Sequence, residues 1–184
     1  MSSSGYQVFE TAFGFCGAGW SASGLARFIL PAPDAKAVER LLKRRFPDCK
    51  ATQAAGAMAN LIGAAQSYFN GNQEDFSKVP LDLSGISPFH RTLYTAMRHL
   101  SYGETTTYGA LCERVGFPKA TRETGAAMGQ NPIPLIIPCH RVLAAGGKIG
   151  GFSAHGGITT KQKMLALENA RSPDAIDAQG TFAF

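Results

Sequence analysis

Short apolar segments separated by glycines dominate the beginning of the chain. Apolar and aromatic side chains group in Tyr6–Phe9, Phe13–Phe15 and Ala26–Leu30, and each run is too short for a helix. Runs of this length bounded by glycine are typical of β-strands joined by tight turns. The pattern therefore predicts an antiparallel meander of strands.

Apolar residues then recur at the three- and four-residue spacing of an α-helix. Asp34 is a suitable N-cap for a first helix that extends to Phe46, and a second helix is predicted at about residues 53–70. Ser87 followed by proline is a strong start signal for a third helix that ends near Gly103. The first part of the chain thus combines strands with amphipathic helices.

Two further short helices joined by a tight turn are predicted between Thr107 and Gln130. Thr107 caps the first, Gly116-Phe117-Pro118 forms the turn, and the second begins near Lys119, as in a helix-turn-helix. Small side chains line this second helix: Gly125, Ala126, Ala127 and Gly129. Either the helix packs tightly against another helix, or it enters a narrow groove such as the minor groove of DNA, about 6 Å wide. These residues alone leave both interpretations open.

The polar stretch from Gly71 to Gly85 separates the two patterned halves of the sequence. It predicts a boundary between two domains, residues 1–84 and 85–170. A last helix is expected at about residues 159–169, and residues 171–184 have the composition of a disordered tail.

The strongest candidate for chemistry is an apolar run that ends at a cysteine beside a histidine. Leu135–Ile137 is typical of a buried strand, and Pro138 ends it because proline lacks an amide donor, so Cys139 is expected where core meets surface. His140 and Arg141 supply a base and a positive charge, which lower the pKa of a thiol. Neighbouring side chains point in different directions, so we expect a water to relay the proton between Cys139 and His140. A Cys-His pair by itself is more often structural than catalytic.

Composition and charge narrow the classes of function. The 184 residues, 45% of them hydrophobic, are expected of a globular protein of one domain or two small ones. No secretion signal or membrane-spanning run is recognised, so we expect a cytoplasmic protein. The four cysteines show no CxxC spacing, which disfavours a disulfide framework or a zinc knuckle.

Nine basic and four acidic residues lie between 85 and 170, which suits a polyanionic partner such as nucleic acid, although a solvated basic face is an alternative.

Several motifs in residues 87–169 belong together. They are Thr107-Tyr108, Pro118–Arg122, Ala127–Pro132, Ile137-Pro138-Cys139-His140-Arg141-Val142 and Gly157–Glu168. Together they resemble the O6-alkylguanine-DNA alkyltransferases, or methylated-DNA-protein-cysteine S-methyltransferases. The resemblance implies an α+β fold, with a ribonuclease H-like N-terminal domain of a small antiparallel sheet and helices. It also implies a mostly helical, winged helix-turn-helix-like C-terminal domain.

The activity implied by the resemblance is DNA repair by a protein that reacts once. Such proteins flip an O6-alkylated guanine, and by extension O4-alkylthymine, out of the duplex, because a thiolate cannot reach that carbon inside the stack. The alkyl group then moves to a cysteine of the protein, without a cofactor. By resemblance Cys139 is the acceptor, His140 the base acting through water, Glu168 the carboxylate that orients His140, and Asn131 a brace for the turn around the site.

The resemblance also assigns residues to the DNA surface and to the substrate pocket. Tyr108 resembles the tyrosine that crowds the target phosphate and contacts the flipped base, and Arg122 the finger that fills the vacated place in the stack. Further contacts with DNA are expected from Ala126, Ala127, Gly129 and Arg141. The pocket is expected to comprise Tyr108, Val142, Phe152, Ser153 and Lys161. The implied partner is double-stranded DNA, bound through its minor groove with little sequence preference by a monomer.

Two departures from the family pattern concern the pocket. Phe152 stands where many relatives have tyrosine, and Ala154-His155 lengthens the loop before Gly156-Gly157, so the preferred size of alkyl group is not fixed by the resemblance. The zinc ligands of some relatives are not matched, so no metal is predicted. Three other classes of protein are alternatives: a binding-only damage sensor, which would replace the cysteine; a helix-turn-helix regulator, which would need base-reading side chains; and a cysteine hydrolase, which would need an oxyanion hole. Cys139 and the small-residue helix favour the alkyltransferase.

Overall fold

The described part of the chain combines a small antiparallel sheet with helices, as the α+β prediction requires. A computed structural model of the protein describes residues 4–170, with the side chain of Arg45 excepted. These residues fall into two compact units. One contains the chain up to Ile86 together with Pro132–Ile136, and the other contains Ser87–Asn131 together with the chain from Ile137 onward. The predicted domains, 1–84 and 85–170, remain a prediction.

The sheet of the first unit is the meander predicted from the glycine-bounded runs. Its strands are β1 (Gly5–Thr11), β2 (Gly14–Ser21) and β3 (Gly24–Ala32), which pair antiparallel in the order β1-β2-β3. Gly14 and Gly24 begin β2 and β3 at φ values of 122° and 140°, a region that side chains rarely adopt. Each strand is longer than its apolar run because backbone pairing extends through the glycines.

The first helix, α1 (Ala35–Arg45), lies directly against the middle strand. Asp34 caps it, since its carboxylate accepts hydrogen bonds from the amides of Lys36 and Ala37. A Cβ atom at Gly17 on β2 would lie 2.7 Å from side-chain atoms of both Val38 and Leu42. Glycine at this position therefore lets the apolar stripe of α1 approach the sheet.

The second helix, α2 (Ala57–Phe69), begins later than the predicted start near residue 53. Its N-cap is Gly56, whose φ of 54° ends the preceding loop. The residues before it pair elsewhere, since Tyr6 and Ala51 form an isolated parallel bridge. Propensity alone did not reveal this competing pairing.

The run Leu135–Ile137 is buried as predicted, but the prediction of a strand is wrong. The chain turns here, with Leu135 at a φ of 75°. Prolines at 132, 134 and 138 withhold the amide donors that a continuous ladder requires. Instead, Pro132 accepts a hydrogen bond from the amide of Phe28 at 3.0 Å and thereby joins the segment to the sheet of the first unit.

The second unit is mostly helical. Its elements are α3 (Pro88–Met97), β4 (Thr106–Thr107), α4 (Tyr108–Arg114), α5 (Thr121–Gly129), β5 (Val142–Leu143) and α6 (Gly157–Leu167). β4 and β5 pair in parallel, with Thr106 opposite Val142. The caps predicted at Ser87 and Thr107 are present, because each hydroxyl accepts a backbone amide of the following turn. The prediction that α3 reaches Gly103 is wrong, since the helix ends at Met97.

α4 and α5 form the predicted pair of helices joined by a turn. Gly116, at a φ of 80°, reverses the chain between them. The buried Cys112 sulfur on α4 lies 3.1 Å from the hydroxyl of Thr124 on α5, and this contact fixes the two helices to one another.

The predictions for the end of the chain divide at residue 170. The last helix, α6, is present, whereas the predicted disordered tail, residues 171–184, lies outside the described residues. Across residues 4–170, no helix has the length and apolar character needed to cross a bilayer.

Candidate active site

Cys139 begins a single 3₁₀ turn, Cys139–Arg141, in the second unit. The turn is closed by a hydrogen bond from the amide of Arg141 to the carbonyl of Pro138, at 2.9 Å. We expected Cys139 where core meets surface, but only 5% of the residue is exposed. A reacting group must therefore enter the protein to reach this thiol.

His140 is fully buried and uses its two ring nitrogens differently. Nε2 lies 2.8 Å from Oε1 of Glu168, whereas Nδ1 is buried with no hydrogen-bond partner in the described part of the chain. This agrees with the expectation that His140 and Cys139 do not bond directly. Burial lowers the pKa of His140, although Glu168 opposes the effect. The resting imidazole is therefore neutral at pH 7, and the tautomer that donates from Nε2 leaves Nδ1 as a base.

Glu168, at the end of α6, is surrounded by donors. Arg141 donates from Nε to Oε2 at 2.8 Å and from Nη2 to Oε1 at 2.9 Å. The amide of Gly103 donates to Oε2 at 3.0 Å. Burial alone would raise the pKa of Glu168, but the hydrogen bonds from His140 and Arg141 outweigh it and hold that pKa below its usual range. The carboxylate is therefore ionised whenever His140 acts as a base.

The structure overturns the assignment of Arg141 to the DNA surface. Arg141 is only 6% exposed, and its remaining arm donates from Nη1 to the carbonyl of Leu100 at 2.6 Å. The expectation that its charge activates Cys139 is also weakened, because Glu168 neutralises that charge. A buried guanidinium needs a counter-ion, and this one comes from a residue 27 positions away in sequence.

Two other side chains, Asn131 and Lys161, act on the thiol. Burial raises the pKa of Cys139, while a hydrogen bond with Asn131 and the charge of Lys161 lower it. Asn131 also donates from Nδ2 to the carbonyl of Ile137 at 2.8 Å, which braces the approach to the turn. Lys161 is fully buried on α6 and donates from Nζ to the carbonyl of Val142 at 2.6 Å. The net raised pKa means that the resting thiol is protonated and needs a base.

Tyr108, the first residue of α4, is half-buried beside the site. Burial raises the pKa of its hydroxyl, and the charge of Cys139 adds to this, which places the phenol within electrostatic reach of the sulfur. Its ring also lies against the backbone of the loop that follows β5. A Cβ atom at Gly150 would lie 3.1 Å from Cε2 of Tyr108 and 3.3 Å from its hydroxyl oxygen.

The loop with the two-residue extension is fastened at both ends. The hydroxyl of Ser153 donates to the carbonyl of Gly129 at 3.1 Å, which ties the loop to the end of α5. The hydroxyl of Thr160 donates to the carbonyl of His155 at 2.6 Å, which ties the extension to α6. Of the other expected pocket residues, Phe152 is half-buried and Val142 is fully buried.

α5 presents one face to solvent and one to the core. Arg122, Ala126 and Gly129 are exposed, whereas Ala127 is fully buried, so its expected contact with DNA through the side chain is wrong. A Cβ atom added at Gly125 or at Gly129 would meet nothing within 4 Å. Within the described residues Gly125 and Gly129 are thus not explained by a packed helix partner, and the exposed face of α5 is open to an external one.

Tyr94 is a buried residue of the site that sequence reasoning missed. Its hydroxyl donates to the carbonyl of Ala127 at 2.8 Å, and burial, with a contribution from Cys139, raises its pKa to about 12. It follows Leu93 on an amphipathic helix, and nothing local distinguishes it from a core aromatic.

Among the described residues, no group of three or more His, Cys, Asp or Glu side chains is placed to hold a metal ion.

Comparison with known proteins finds relatives for most of the chain. The model of the 6-O-methylguanine DNA methyltransferase DNA-binding domain matches residues 88–170. A methylated-DNA--protein-cysteine methyltransferase of Mycolicibacterium paratuberculosis is 42% identical over 120 residues, covering 65% of this chain and 70% of that protein. A DNA base-flipping protein of Thermus thermophilus is 39% identical over 134 residues, covering 72% of this chain and 87% of that protein. The crystal structure of Mycobacterium tuberculosis OGT in complex with DNA has a TM-score of 0.72 at 30% identity. The match covers 91% of this chain and 94% of the OGT chain.

The fold and the site define a protein in which a buried cysteine and a buried histidine–carboxylate pair lie together in one unit. Residues 88–170, which include Cys139, His140 and Glu168, match the model of a DNA-binding domain. The chain belongs to the family of the methylated-DNA–protein-cysteine methyltransferases.

Proposed function

We propose that this protein repairs O6-alkylguanine in double-stranded DNA by moving the alkyl group once to Cys139. The observation that carries the proposal is the arrangement around His140, whose Nε2 is bonded to Glu168 while Nδ1 has no protein partner in the described chain. This arrangement supplies a neutral base next in sequence to a free, buried thiol. O4-alkylthymine, which carries the same kind of activated carbon, is a second substrate of the same site.

The reaction begins with removal of the thiol proton. A water between the two side chains passes the proton from Sγ of Cys139 to Nδ1 of His140, and Glu168 stabilises the resulting imidazolium. The thiolate attacks the alkyl carbon, so an S–C bond forms and the C–O6 bond breaks. Guanine leaves with the electron pair of the C–O6 bond and takes up, through water, the proton that His140 accepted, which restores the normal base and the neutral imidazole. Lys161 and Asn131 favour the thiolate, since both lower the pKa of Cys139.

The burial of Cys139 requires that the target base leave the helix. Because Cys139 is only 5% exposed, its thiol cannot reach a carbon inside stacked DNA, whereas a flipped base can enter the protein. In this proposal Tyr108 contacts the target phosphate and the flipped base, and the exposed Arg122 fills the vacated place in the stack. Phe152, Ser153 and Val142 form the wall of the pocket.

The exposed face of α5 supports binding in the minor groove. Gly125, Ala126 and Gly129 leave a low surface that lacks long base-reading side chains. The protein therefore binds DNA with little sequence preference. In this proposal it binds as a monomer. Residues 85–170, which contain α4 and α5, act as a winged helix-turn-helix-like domain. The sheet and helices of residues 1–84 form a ribonuclease H-like domain.

A binding-only DNA damage sensor is the second candidate. A relative that is named a DNA base-flipping protein gives it a specific basis. Cys139 favours transfer instead, because a protein that only binds has no need of an acceptor thiol with its own base. The two functions predict the same binding and differ only in the covalent product.

Mass spectrometry after incubation with duplex DNA containing O6-methylguanine tests the proposal. We expect one added methyl group, located on the peptide that contains Cys139, and unmodified guanine in the DNA. Cys139→Ser is the control, since it removes the nucleophile with little change of shape. Binding without any adduct would establish the sensor, and an adduct on Cys16, Cys49 or Cys112 would overturn the assignment of Cys139.

A further inference from the structure

The carboxylate of Glu168 is held by several groups besides His140. We infer that Arg141, Tyr102 and Gly103, the Glu168 clamp, are positioning residues that hold this carboxylate against His140 and so set how readily the thiol of Cys139 gives up its proton. None of the three needs to touch DNA or the alkyl group. The inference rests on the proposed function and adds to it a set of residues that act through Glu168.

Arg141 supplies the fork of the clamp. Its Nε and Nη2 atoms donate to different oxygens of Glu168, at 2.8 and 2.9 Å, and a two-point contact of this kind fixes the carboxylate plane. Its third arm donates to the carbonyl of Leu100 at 2.6 Å. Arg141 therefore links the carboxylate to the chain segment that follows α3.

That segment closes over the other side of Glu168 as a tight turn. The amide of Gly103 donates to Oε2 at 3.0 Å, and the amide of Ser101 donates to a carboxylate oxygen of Glu104 at 2.8 Å within the turn. Gly103 has a φ of 76°, and a Cβ atom there would lie 2.9 Å from the backbone oxygen of Glu168. Glycine is thus required both by the backbone conformation and by the close approach.

Tyr102 fastens the same turn to the helix that carries the carboxylate. Its hydroxyl donates to the carbonyl of Leu167 at 2.9 Å, and this carbonyl belongs to the last residue of α6. The side chain of Glu168 and the backbone beside it are therefore held by one turn, so Glu168 cannot rotate away from His140 without breaking several bonds together.

The clamp has a chemical consequence because both oxygens of Glu168 have donors. Oε1 accepts from His140 and Arg141, and Oε2 accepts from Arg141 and Gly103. A carboxylate held in this way remains ionised and stabilises an imidazolium at His140. Among the described residues, the Tyr102 phenol and the Lys161 ammonium also face this pair, and the latter acts on His140.

Loosening the clamp should weaken the stabilisation of the imidazolium. The water-mediated transfer of the proton from Cys139 to His140 would then be less favourable. The thiolate would form only at higher pH, where the thiol ionises without help from His140. A variant of the clamp should therefore be slow at neutral pH and recover as the pH rises.

The test measures the rate of alkyl transfer from free O6-benzylguanine to Cys139 across a range of pH. A free base removes DNA binding from the measurement. For Arg141→Lys, which keeps the charge and loses the fork, we expect a rate about 10- to 100-fold lower at neutral pH and a pH profile displaced upward. Tyr102→Phe, which keeps the ring and loses the bond to Leu167, should displace the profile in the same direction by a smaller amount.

Tyr6→Phe is the matched control, because it also removes a tyrosine hydroxyl that bonds a single acceptor, Glu39 at 2.6 Å, in the first unit. Its pH profile should equal that of the unaltered protein. In a Glu168→Gln background, Tyr102→Phe should add little to the displacement, since both act through one carboxylate. Additive displacements, or a folded Tyr102→Phe protein with an unmoved profile, would overturn the clamp. Failure of the unaltered protein to alkylate Cys139 would instead refute the proposed function.

Discussion

Nε2 of His140 lies 2.8 Å from Oε1 of Glu168, and both side chains are completely shielded from solvent. In this setting the carboxylate can stabilise a positive charge on the imidazole far better than a neutral amide can. We therefore expect Glu168→Gln to slow transfer to Cys139 by about 10- to 100-fold and to raise the apparent pKa of the thiol. Transfer rates measured at several pH values give both the loss of rate and the apparent pKa of the thiol. An unchanged pH profile would mean that the carboxylate only supports packing.

The same pair predicts how stability depends on pH. The pKa of His140 is lowered in the folded protein from its ordinary value of 6.5, because burial disfavours the charged ring. The unfolded chain therefore binds a proton that the folded chain resists, and stability falls as the pH drops below about 6.5. The lowered pKa of Glu168 adds a second loss as the pH falls below its ordinary value of 4.5.

Thermal unfolding between pH 8 and pH 4 checks this prediction, with pH values chosen around the ordinary pKa of histidine, about 6.5. The midpoint of unfolding should decrease in the range where histidine titrates, and the decrease should be smaller in His140→Gln, which cannot take up the proton. An equal slope in both proteins would assign the effect to other groups.

Gly150 and its neighbour Gly151 allow a test of the contact with Tyr108. An alanine Cβ at Gly150 would lie 3.1 Å from the tyrosine ring, a distance tighter than most real contacts, whereas the same atom at Gly151 would meet nothing within 4 Å. We expect Gly150→Ala to displace the ring and slow transfer, and Gly151→Ala to react at the normal rate. Overpacking of this kind costs about 1 to 3 kcal/mol when neighbours cannot move.

The measurement for this pair is the transfer rate on O6-methylguanine DNA, together with the midpoint of thermal unfolding. A lower rate with a nearly unchanged midpoint would locate the effect at Tyr108. If the two alanine variants behaved alike, the ring would be free to yield, and its contact with the loop would have no part in positioning the substrate.

Arg122 is the expected finger, and it is exposed on α5. Its removal should affect only substrates that must be flipped out of a duplex, where the finger offsets unstacking worth a few kcal/mol. We therefore expect Arg122→Ala to repair duplex DNA poorly and to react with free O6-benzylguanine almost normally. Equal losses on both substrates would indicate a folding defect.

Binding to DNA should weaken as salt rises, because contacts with phosphate release counterions.

Local signals predicted much of the fold. Asp34, Ser87 and Thr107 cap helices because each offers a side-chain oxygen to the first free amides, and a sequence shows that chemistry directly. The glycine-bounded runs likewise predicted the meander. The strand expected at Leu135–Ile137 failed because three nearby prolines remove donors, so the buried run turns instead of pairing.

The candidate site was predictable only where a motif marks it. Cys139 and His140 are adjacent in the sequence, whereas Glu168 was assigned to the site only through the family resemblance. The partner of Arg141 depends on tertiary structure, because a buried guanidinium and a surface one look the same in sequence, and this arginine was wrongly assigned to DNA. Tyr94 and the turn at Gly103 also carry no local signal, since their contacts are with residues 33 and 65 positions away.

The final prediction concerns stoichiometry, and it follows from the bond that transfer creates. Alkylation turns Cys139 into a thioether, whose sulfur is no longer a thiolate and whose carbon has lost guanine as a leaving group. The other cysteines, Cys16, Cys49 and Cys112, are buried, and burial raises the pKa of Cys16 and Cys49, the latter to about 11, so these two are poor nucleophiles for removing the group.

We therefore expect a single turnover per molecule. With O6-methylguanine DNA in large excess, the methyl groups transferred per protein should reach a plateau at or below one. The added methyl must also fit a site where Cys139 is 5% exposed, and overpacking a filled site costs about 1 to 3 kcal/mol. The alkylated protein should consequently unfold at a lower temperature than the free protein. A steady rise of transferred methyl past one per protein would show that the thioether is reversed and would refute a stoichiometric acceptor.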